Sequence, residues 1–189
     1  MASNPTGRLR QRVKVLLVED DEDDYLITQD LLAEIQNARF DLDWVTTYEA
    51  AIEKIEENRH DVILMDYRLG KYTGLELLAE AIELGCLTPI ILLTGQGGYE
   101  VDIAASETGA ADYLVKSQIS AALLEKSIRY AIKNYQKAEE LQEQLEQLKE
   151  RLKRRSATGE SRNDLQRLAD TDLEPLEEAI KGLRGLVFK

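Results

Sequence analysis

The sequence predicts an α/β fold, a doubly wound parallel sheet of five strands with helices on both faces. Strand-like apolar runs alternate with helix-period segments up to about residue 132. Alternation of this length favours parallel strands joined by helical crossovers. Three of the runs are nearly continuous Val, Ile and Leu, which is typical of strands that are covered on both faces.

The strands are predicted in order along the chain at Val13–Val18, Phe40–Val45, Asp61–Met65, Ile90–Leu93 and Asp112–Val115. The segments between them carry apolar residues at helical spacing, which indicates one buried face on each helix. On the first helix this face is predicted to hold Ile27, Leu31 and Ile35. Thr46 and Glu49 predict a capping box at the start of the second helix.

A long helix is predicted from Ser120, because neither Gly nor Pro occurs again before Gly159. Its apolar stripe consists of Leu124, Ile128, Ala131, Tyr135, Ala138, Leu141, Leu145, Leu148 and Leu152. The spacing between successive stripe residues alternates between four and three residues, except that two spacings of three residues meet at Ala138. This irregularity resembles a stammer. Only the first turns are needed to cover the sheet, so we expect the rest of the stripe to lack a surface within the chain. A parallel dimeric coiled coil is therefore favoured over a single solvated helix.

The chain thus divides into a domain at 11–132, an extended helix at 133–155, and a segment at 156–189. This last segment is predicted to be a linker followed by a short amphipathic helix with Pro175 near its start. The basic run that ends the long helix suits the negative end of the helix dipole.

The composition restricts the function. A net charge of −12 argues against nonspecific binding to nucleic acid or to anionic membranes. The chain has no apolar run of about 18 residues and no signal-peptide pattern, so a cytoplasmic location is predicted. Cys86, the single cysteine, is expected to be a buried, inert thiol. His60, the single histidine, is expected to be a solvated loop residue.

Reactive side chains stand at the ends of four predicted strands. The first strand runs into six consecutive acids, from Glu19 to Asp24, and the third strand is followed by Asp66. The fourth and fifth strands are followed by Thr94 and Lys116. Ligands of such sheets bind outside the carboxyl ends of the strands, so we expect these side chains to lie together.

These residue types fit phosphoryl chemistry with a divalent cation. Mg²⁺ takes oxygen ligands, usually one or two carboxylates with waters and phosphate oxygens, which Glu19, Asp20 and Asp66 could supply. With the cluster neutralised, Asp66 could attack a phosphoryl donor and become an acyl phosphate. Lys116 could place a point charge on one phosphoryl oxygen, and Thr94 could donate a hydrogen bond to another.

The motifs VLLVEDD, DVILMDYRLGKYTGLELL, PIILLTG and GAADYLVKS resemble the receiver domain of two-component response regulators. The resemblance implies a flavodoxin-like receiver fold with a magnesium site. It implies that Glu19 and Asp20 are the metal acids and that Asp66 is both metal ligand and phosphoacceptor. Arg68 is implied to offer its backbone carbonyl to the cation. Asp21 could replace one of the metal acids.

The same resemblance implies that Thr94 is the switch hydroxyl, Tyr113 the rotating switch aromatic and Lys116 the phosphate-binding lysine. Two positions depart from the family pattern. Ser117 follows Lys116 where the family usually has a proline in a cis bond, and a non-proline cis bond costs about 2.5–4 kcal/mol, so no such bond is expected. Gly70 stands where a proline is common. Neither departure removes a reactive group.

The resemblance implies a signalling switch that receives a phosphoryl group from a histidine kinase or a phosphotransfer protein. It implies no enzyme activity beyond self-phosphorylation from small donors and autodephosphorylation. We expect output through partner contacts or homodimer geometry at the long helix, without direct contact to nucleic acid or membrane, and an effector domain beyond residue 189 is an alternative route. Two alternatives remain: a coiled-coil scaffold with a structural receiver, and a phosphohydrolase with an aspartate nucleophile. Such hydrolases usually carry a second Asp where this chain has Arg68.

Overall fold

A computed structural model describes residues 11–95, 109–157, 171 and 173–187. The strands are β1 (Gln11–Val18), β2 (Ala38–Val45), β3 (Val62–Asp66), β4 (Arg68–Leu69), β5 (Tyr72–Thr73), β6 (Ile90–Thr94) and β7 (Asp112–Val115). The helices are α1 (Glu22–Glu34), α2 (Tyr48–Glu56), α3 (Gly74–Glu83), α4 (Ala121–Ala157) and α5 (Glu174–Val187). A 3₁₀ turn, Lys116–Gln118, precedes α4.

Five strands form one parallel sheet in the order β2-β1-β3-β6-β7. The predicted doubly wound α/β fold is therefore confirmed. From β1 the chain goes to β2 on one side and then crosses to β3 on the other, so the strand order reverses between β1 and β3. Open α/β sheets bind their ligands at this kind of switch point.

Two apolar cores lie on the two faces of the sheet. Leu16 and Met65 belong to the core that contains residues of α2 and α3. Leu17 and Leu64 belong to the opposite core, with residues of α1 and the first half of α4. Because successive strand residues point to opposite faces, each central strand contributes to both cores. This double burial explains the continuous apolar runs in the sequence.

Two local predictions are wrong. Ile27 is 55% exposed, because α1 turns the row of Thr28 and Leu32 towards the sheet, and both of these are buried. The N-cap of α2 is Thr47, one residue later than predicted, and its hydroxyl accepts a hydrogen bond from the Ala50 N–H.

The long helix α4 is continuous across the predicted boundary at residue 132. All nine stripe residues are buried or half-buried. The expectation that the far part of the stripe lacks a surface within the chain is wrong, because α5 packs against α4. Ile180 of α5 is buried, and Lys149 Nζ lies 3.2 Å from Glu177 Oε1. The dimeric coiled coil stays a prediction, and most of the predicted linker lies outside the described residues.

Three further sequence predictions concern single side chains and the membrane. Cys86 is half-buried and packs against the core beside α3, and burial raises the pKa of its thiol. His60 is not a solvated loop side chain: it is 5% exposed, and its Nε2 lies 2.9 Å from Asp43 Oδ2. Among the described residues, no helix combines the length and the apolar character needed to cross a membrane.

Candidate functional site

The carboxyl ends of β1, β3, β6 and β7 surround a cleft of about 450 Å³. The lining includes Glu19, Asp20, Asp66, Thr94 and Lys116. These five side chains were predicted to lie together because each follows or ends a parallel strand. The structure places all of them in this one cleft.

Three carboxylates form the acidic side of the cleft. Glu19, Asp20 and Asp66 each offer an oxygen, and these oxygens all lie within 4.8 Å of one another. Glu19 and Asp66 are only 1% and 5% exposed, whereas Asp20 is exposed. Asp20 Oδ2 is held by the Gly70 N–H at 2.9 Å. A compact set of carboxylate oxygens, one of them open to solvent, suits Mg²⁺, which binds few carboxylates and keeps several waters.

The backbone at Glu19 is tied to the edge strand of the sheet. The indole N–H of Trp44, on β2, donates a 2.8 Å hydrogen bond to the Glu19 carbonyl oxygen. The Trp44 ring stacks on Tyr25 of α1, with the ring centroids 4.1 Å apart. The main chain of Glu19 is therefore held in place by side chains of β2 and α1.

Lys116 is the cationic centre of the cleft. Its Nζ lies 2.6 Å from Glu19 Oε2, 2.7 Å from Asp66 Oδ1 and 2.6 Å from Asp24 Oδ2. Asp24 was not among the predicted site residues. The acidic run predicted carboxylates at this strand end, but nothing in it singled out Asp24.

Asp21 caps the N-terminus of α1. Its Oδ1 accepts hydrogen bonds from the N–H groups of Asp23 and Asp24, at 2.9 and 3.2 Å, and it is the N-cap of α1. An aspartate in this position satisfies donors that the helix itself leaves unpaired. The group of three acids with converging oxygens contains Glu19 and Asp20 and not Asp21.

Both oxygens of Asp66 are held in place. Oδ2 accepts a 2.8 Å hydrogen bond from the Arg68 N–H, and Oδ1 faces Lys116. The Gly74 N–H donates to the Tyr67 carbonyl oxygen at 2.8 Å, which folds the β4–β5 hairpin back onto the end of β3. At Gly74 a Cβ atom would overlap the Asp66 carbonyl oxygen, so only glycine fits this close approach.

Thr94 and Tyr113 lie on neighbouring strands. Thr94 is the last residue of β6 and is buried. Tyr113 is half-buried and packs against the core that contains α2 and α3. Its N–H donates to Asp112 Oδ1 at 2.8 Å, and Ser127 of α4 donates its hydroxyl to Asp112 Oδ2. The strand that carries the predicted switch aromatic is thus bonded directly to the long helix.

Burial and charge shift the proton affinities in the cleft. Burial raises the pKa of Glu19 to about 7, with the charge of Asp66 adding to the effect and the hydrogen bond from Lys116 opposing it. Burial also raises the pKa of Asp66, again against Lys116. For Lys116 burial opposes the charged form, but hydrogen bonds to Asp24, Asp66 and Glu19 outweigh it and raise its pKa. The cleft therefore favours additional positive charge.

The departures from the family pattern leave this geometry intact. The described residues contain no cis peptide bond, as expected with Ser117 after Lys116, and the chain enters a 3₁₀ turn at Lys116. Gly70 has a positive φ of 58°, and its N–H is the donor to Asp20.

The five-stranded parallel sheet and the acidic cleft at its carboxyl edge are those of a receiver domain, and comparison with known proteins agrees. The sequence-family model of the response regulator receiver domain matches residues 15–129, and the chain belongs to this family. BasR of Escherichia coli (strain K12), a transcriptional regulatory protein, is 33% identical over 104 residues, which are 55% of this chain and 46% of BasR. The response regulator PmrA of Pseudomonas aeruginosa is 31% identical over 104 residues. The chain spans about half the length of these relatives.

Solved structures show the same architecture. The receiver domain of a LuxO repressor protein from Vibrio parahaemolyticus is 26% identical with a TM-score of 0.59, covering 66% of this chain and 93% of that domain. The Mn²⁺-bound form of the response regulator Rcp1 is 28% identical with a TM-score of 0.51, covering 61% of this chain and 89% of Rcp1. The resemblance inferred from the sequence is confirmed.

Proposed function

We propose that Asp66 accepts a phosphoryl group from the phosphohistidine of a histidine kinase or phosphotransfer protein, and that the chain is a phosphorylation-dependent switch. The observation that carries this proposal is the environment of Asp66. A buried carboxylate lies 2.7 Å from a lysine ammonium and shares its cleft with two further acids whose oxygens converge on the same point. Such an arrangement is poised to hold a cation and a phosphoryl group together.

The side chains of Glu19, Asp20 and Asp66, with the carbonyl oxygen of Arg68, would hold Mg²⁺. When bound, the cation neutralises the carboxylates and stabilises the charge on the phosphoryl oxygens. The oxygen-only donor set supports this assignment.

In the transfer step an oxygen of Asp66 attacks phosphorus, the P–N bond of the donor histidine breaks, and the imidazole leaves with the electron pair. The Arg68 N–H keeps the carboxylate oriented during the attack. Lys116 exchanges a carboxylate contact for a phosphoryl oxygen, and the Thr94 hydroxyl donates to another. These groups supply positioning and charge stabilisation, which make up most of the catalysis in phosphoryl transfer.

Movement of Thr94 towards the phosphoryl group vacates space that Tyr113 enters. The path to the long helix is supported by the hydrogen bonds that join Tyr113 to Asp112 and Asp112 to Ser127. Phosphorylation then changes partner contacts or dimer geometry through α4 by shifting a two-state equilibrium. A shift from 1:99 to 99:1 requires about 5.5 kcal/mol of differential stabilisation.

We place this switch in the cytoplasm, with protein partners and without direct binding to nucleic acid or membrane, in line with the net charge of −12. It takes one phosphoryl group per cycle from its donor and does not turn over phosphate esters. Arg68, which stands where aspartate-nucleophile phosphatases carry their acid, supports this distinction.

The decisive experiment is intact-mass measurement after incubation with acetyl phosphate and Mg²⁺. The protein should gain the mass of one phosphoryl group, and Asp66→Asn should gain none. Asp30→Asn, which removes an exposed acid on α1 outside the cleft, is the matched control and should label like the wild type. Labelling of Asp66→Asn at wild-type strength would refute the proposal, and steady turnover of a chromogenic phosphate ester would favour the phosphohydrolase.

The path to α4 has its own test. Hydrogen exchange of the first turns of α4 should change when beryllofluoride and Mg²⁺ are added, and Ser127→Ala should reduce this change while leaving the labelling of Asp66 intact. An identical exchange response in Ser127→Ala would exclude the Asp112–Ser127 contact from the path.

A further inference from the structure

The far half of α4 carries a regular apolar repeat beyond the sheet. We call this the distal stripe; it consists of Ala138, Leu141, Leu145, Leu148 and Leu152. Its steps are three, four, three and four residues, as in the a and d positions of a heptad. The irregular step in the predicted stripe precedes Ala138, so the distal stripe itself is a continuous heptad segment.

The distal stripe is covered by a short helix of the same chain. Ile180 of α5 is buried, and so is Leu145 on the stripe. The flanking ion pair joins Lys149 and Glu177 at 3.2 Å, and the two side chains are 44% and 47% exposed. Exposed ion pairs of this kind contribute little to stability, and a helix of 14 residues is marginal by itself.

This cover is incomplete. Leu141, Leu148 and Leu152 remain half-buried, so apolar surface on the stripe is still open to water. Pairing with a second heptad helix would place each of these residues as a knob in a four-residue hole. A longer partner with the same repeat therefore removes more apolar area from water than α5 does.

Charge along the stripe is compatible with self-pairing. In a parallel pair of α4 helices, the residues beside the seam would place Gln144 of one copy opposite Lys149 of the other, and Lys137 opposite Gln142. Neither contact brings like charges together. The intramolecular cover is favoured instead by opposite charge, because α5 begins with acids such as Glu174 and Glu177 and α4 ends with Arg154 and Arg155.

We propose that the distal stripe is a homodimer interface and that α5 is a detachable cover that competes with α4 of a second copy for it. While α5 is docked, the chain is held in the monomeric form. When α5 is displaced, two α4 helices pair through the stripe. This competition is a property of the two helices and does not require phosphorylation of Asp66.

The test uses the full chain without any phosphodonor. Ile180→Glu removes the buried anchor of α5, and Ala179→Glu adds the same charge at the neighbouring exposed position. In sedimentation equilibrium, wild type and Ala179→Glu should be monomeric, and Ile180→Glu should dimerise with a dissociation constant lower by at least about tenfold. Combining Ile180→Glu with Leu145→Glu should restore the monomer, because the second charge lies in the seam.

Three outcomes would overturn the proposal: a monomeric Ile180→Glu, a dimer that survives Leu145→Glu, or a wild-type dimer that Ile180→Glu weakens. Circular dichroism of each variant reports whether the receiver domain is folded. Because the oligomer measurement involves no phosphoryl transfer, its result is independent of the role proposed for Asp66.

Discussion

The sheet and the distal stripe bury their apolar residues to very different degrees. Every residue of β3 and β6 is buried, and helices cover both faces of these strands. On the distal stripe several leucines are only half-buried, and a single short helix supplies the cover. The tightly packed region holds the side chains of the cleft at fixed separations, whereas the loosely packed region leaves apolar surface in contact with water and is expected to open locally at lower cost.

The largest contrast should appear on truncating one leucine in each region. Leu92→Ala empties a fully buried site in β6 and should lower the free energy of unfolding by about 2–5 kcal/mol. Leu148→Ala, on the half-buried stripe, should lower it by less than about 1 kcal/mol. Urea unfolding of both variants measures this difference. Equal losses would contradict the comparison.

Gly74 tests how tightly the end of β3 is packed. Gly74→Ala places a methyl group against the Asp66 carbonyl oxygen and 3.2 Å from Leu92 Cδ2, so unfolding should become easier by about 1–3 kcal/mol. Labelling of Asp66 by acetyl phosphate should also slow, because the carboxylate is displaced. Gly95→Ala is the control for the stability measurement, since no described atom lies within 4 Å of its added Cβ. If Gly74→Ala is as stable as the wild type, the backbone near Gly74 must move to make room for the added methyl group.

The cleft should couple stability to pH and Mg²⁺. The pKa of Glu19 is raised from 4.5 to about 7 in the folded chain without metal, so its contribution to stability is complete below pH 4.5 and is lost as the pH rises through 7. Mg²⁺ competes with this proton, so the Mg²⁺-induced rise in Tm should be larger at about pH 8 than at about pH 5.5. Thermal unfolding at the two pH values measures the Mg²⁺-induced rise in Tm. In Glu19→Gln this rise should depend less on pH. A larger effect at the lower pH would contradict the assignment.

A smaller effect is expected at Asp24, which contacts Lys116 and is not one of the three converging acids. Asp24→Asn removes one negative charge near the proposed Mg²⁺ site and should weaken Mg²⁺ binding by about fivefold, measured by calorimetry. Asp23→Asn is the matched control on the same turn of α1, and it should change binding less. If Asp24→Asn binds Mg²⁺ as tightly as the wild type, Asp24 does not contribute to Mg²⁺ binding.

The smallest change in stability is expected at the exposed ion pair between α4 and α5. Glu177→Gln removes the ion pair with Lys149 and should change the free energy of unfolding by less than about 0.5 kcal/mol, measured by urea unfolding. Glu178→Gln, at a neighbouring exposed position, is the control. A larger loss would mean that charge and not Ile180 anchors α5.

The sequence predicted the sheet well because its signals are local and redundant. Continuous apolar runs defined the central strands, and the order of the reactive residues along the chain placed Asp66, Thr94 and Lys116 at one edge. The contact between Asp24 and Lys116 could not be read in the same way, since it depends on the angle at which α1 leaves the strand.

The predictions that failed depended on exact helix phase or on contacts between distant segments. Ile27 is as apolar as a core residue, yet Thr28 occupies the buried row and Ile27 faces solvent. Likewise the apolar pattern identified the stripe on α4 but could not reveal that α5 covers it, because no sequence period specifies which partner a helix meets.

The stacked pair beside the cleft has a practical consequence. Trp44 is the only tryptophan of the chain, and its indole is bonded to the main chain of Glu19. Indole emission responds to hydrogen bonding and to nearby charge, so fluorescence of the unlabelled protein should report when a cation or phosphoryl group arrives. The chain therefore contains its own optical probe, and titrations of this cleft need no dye.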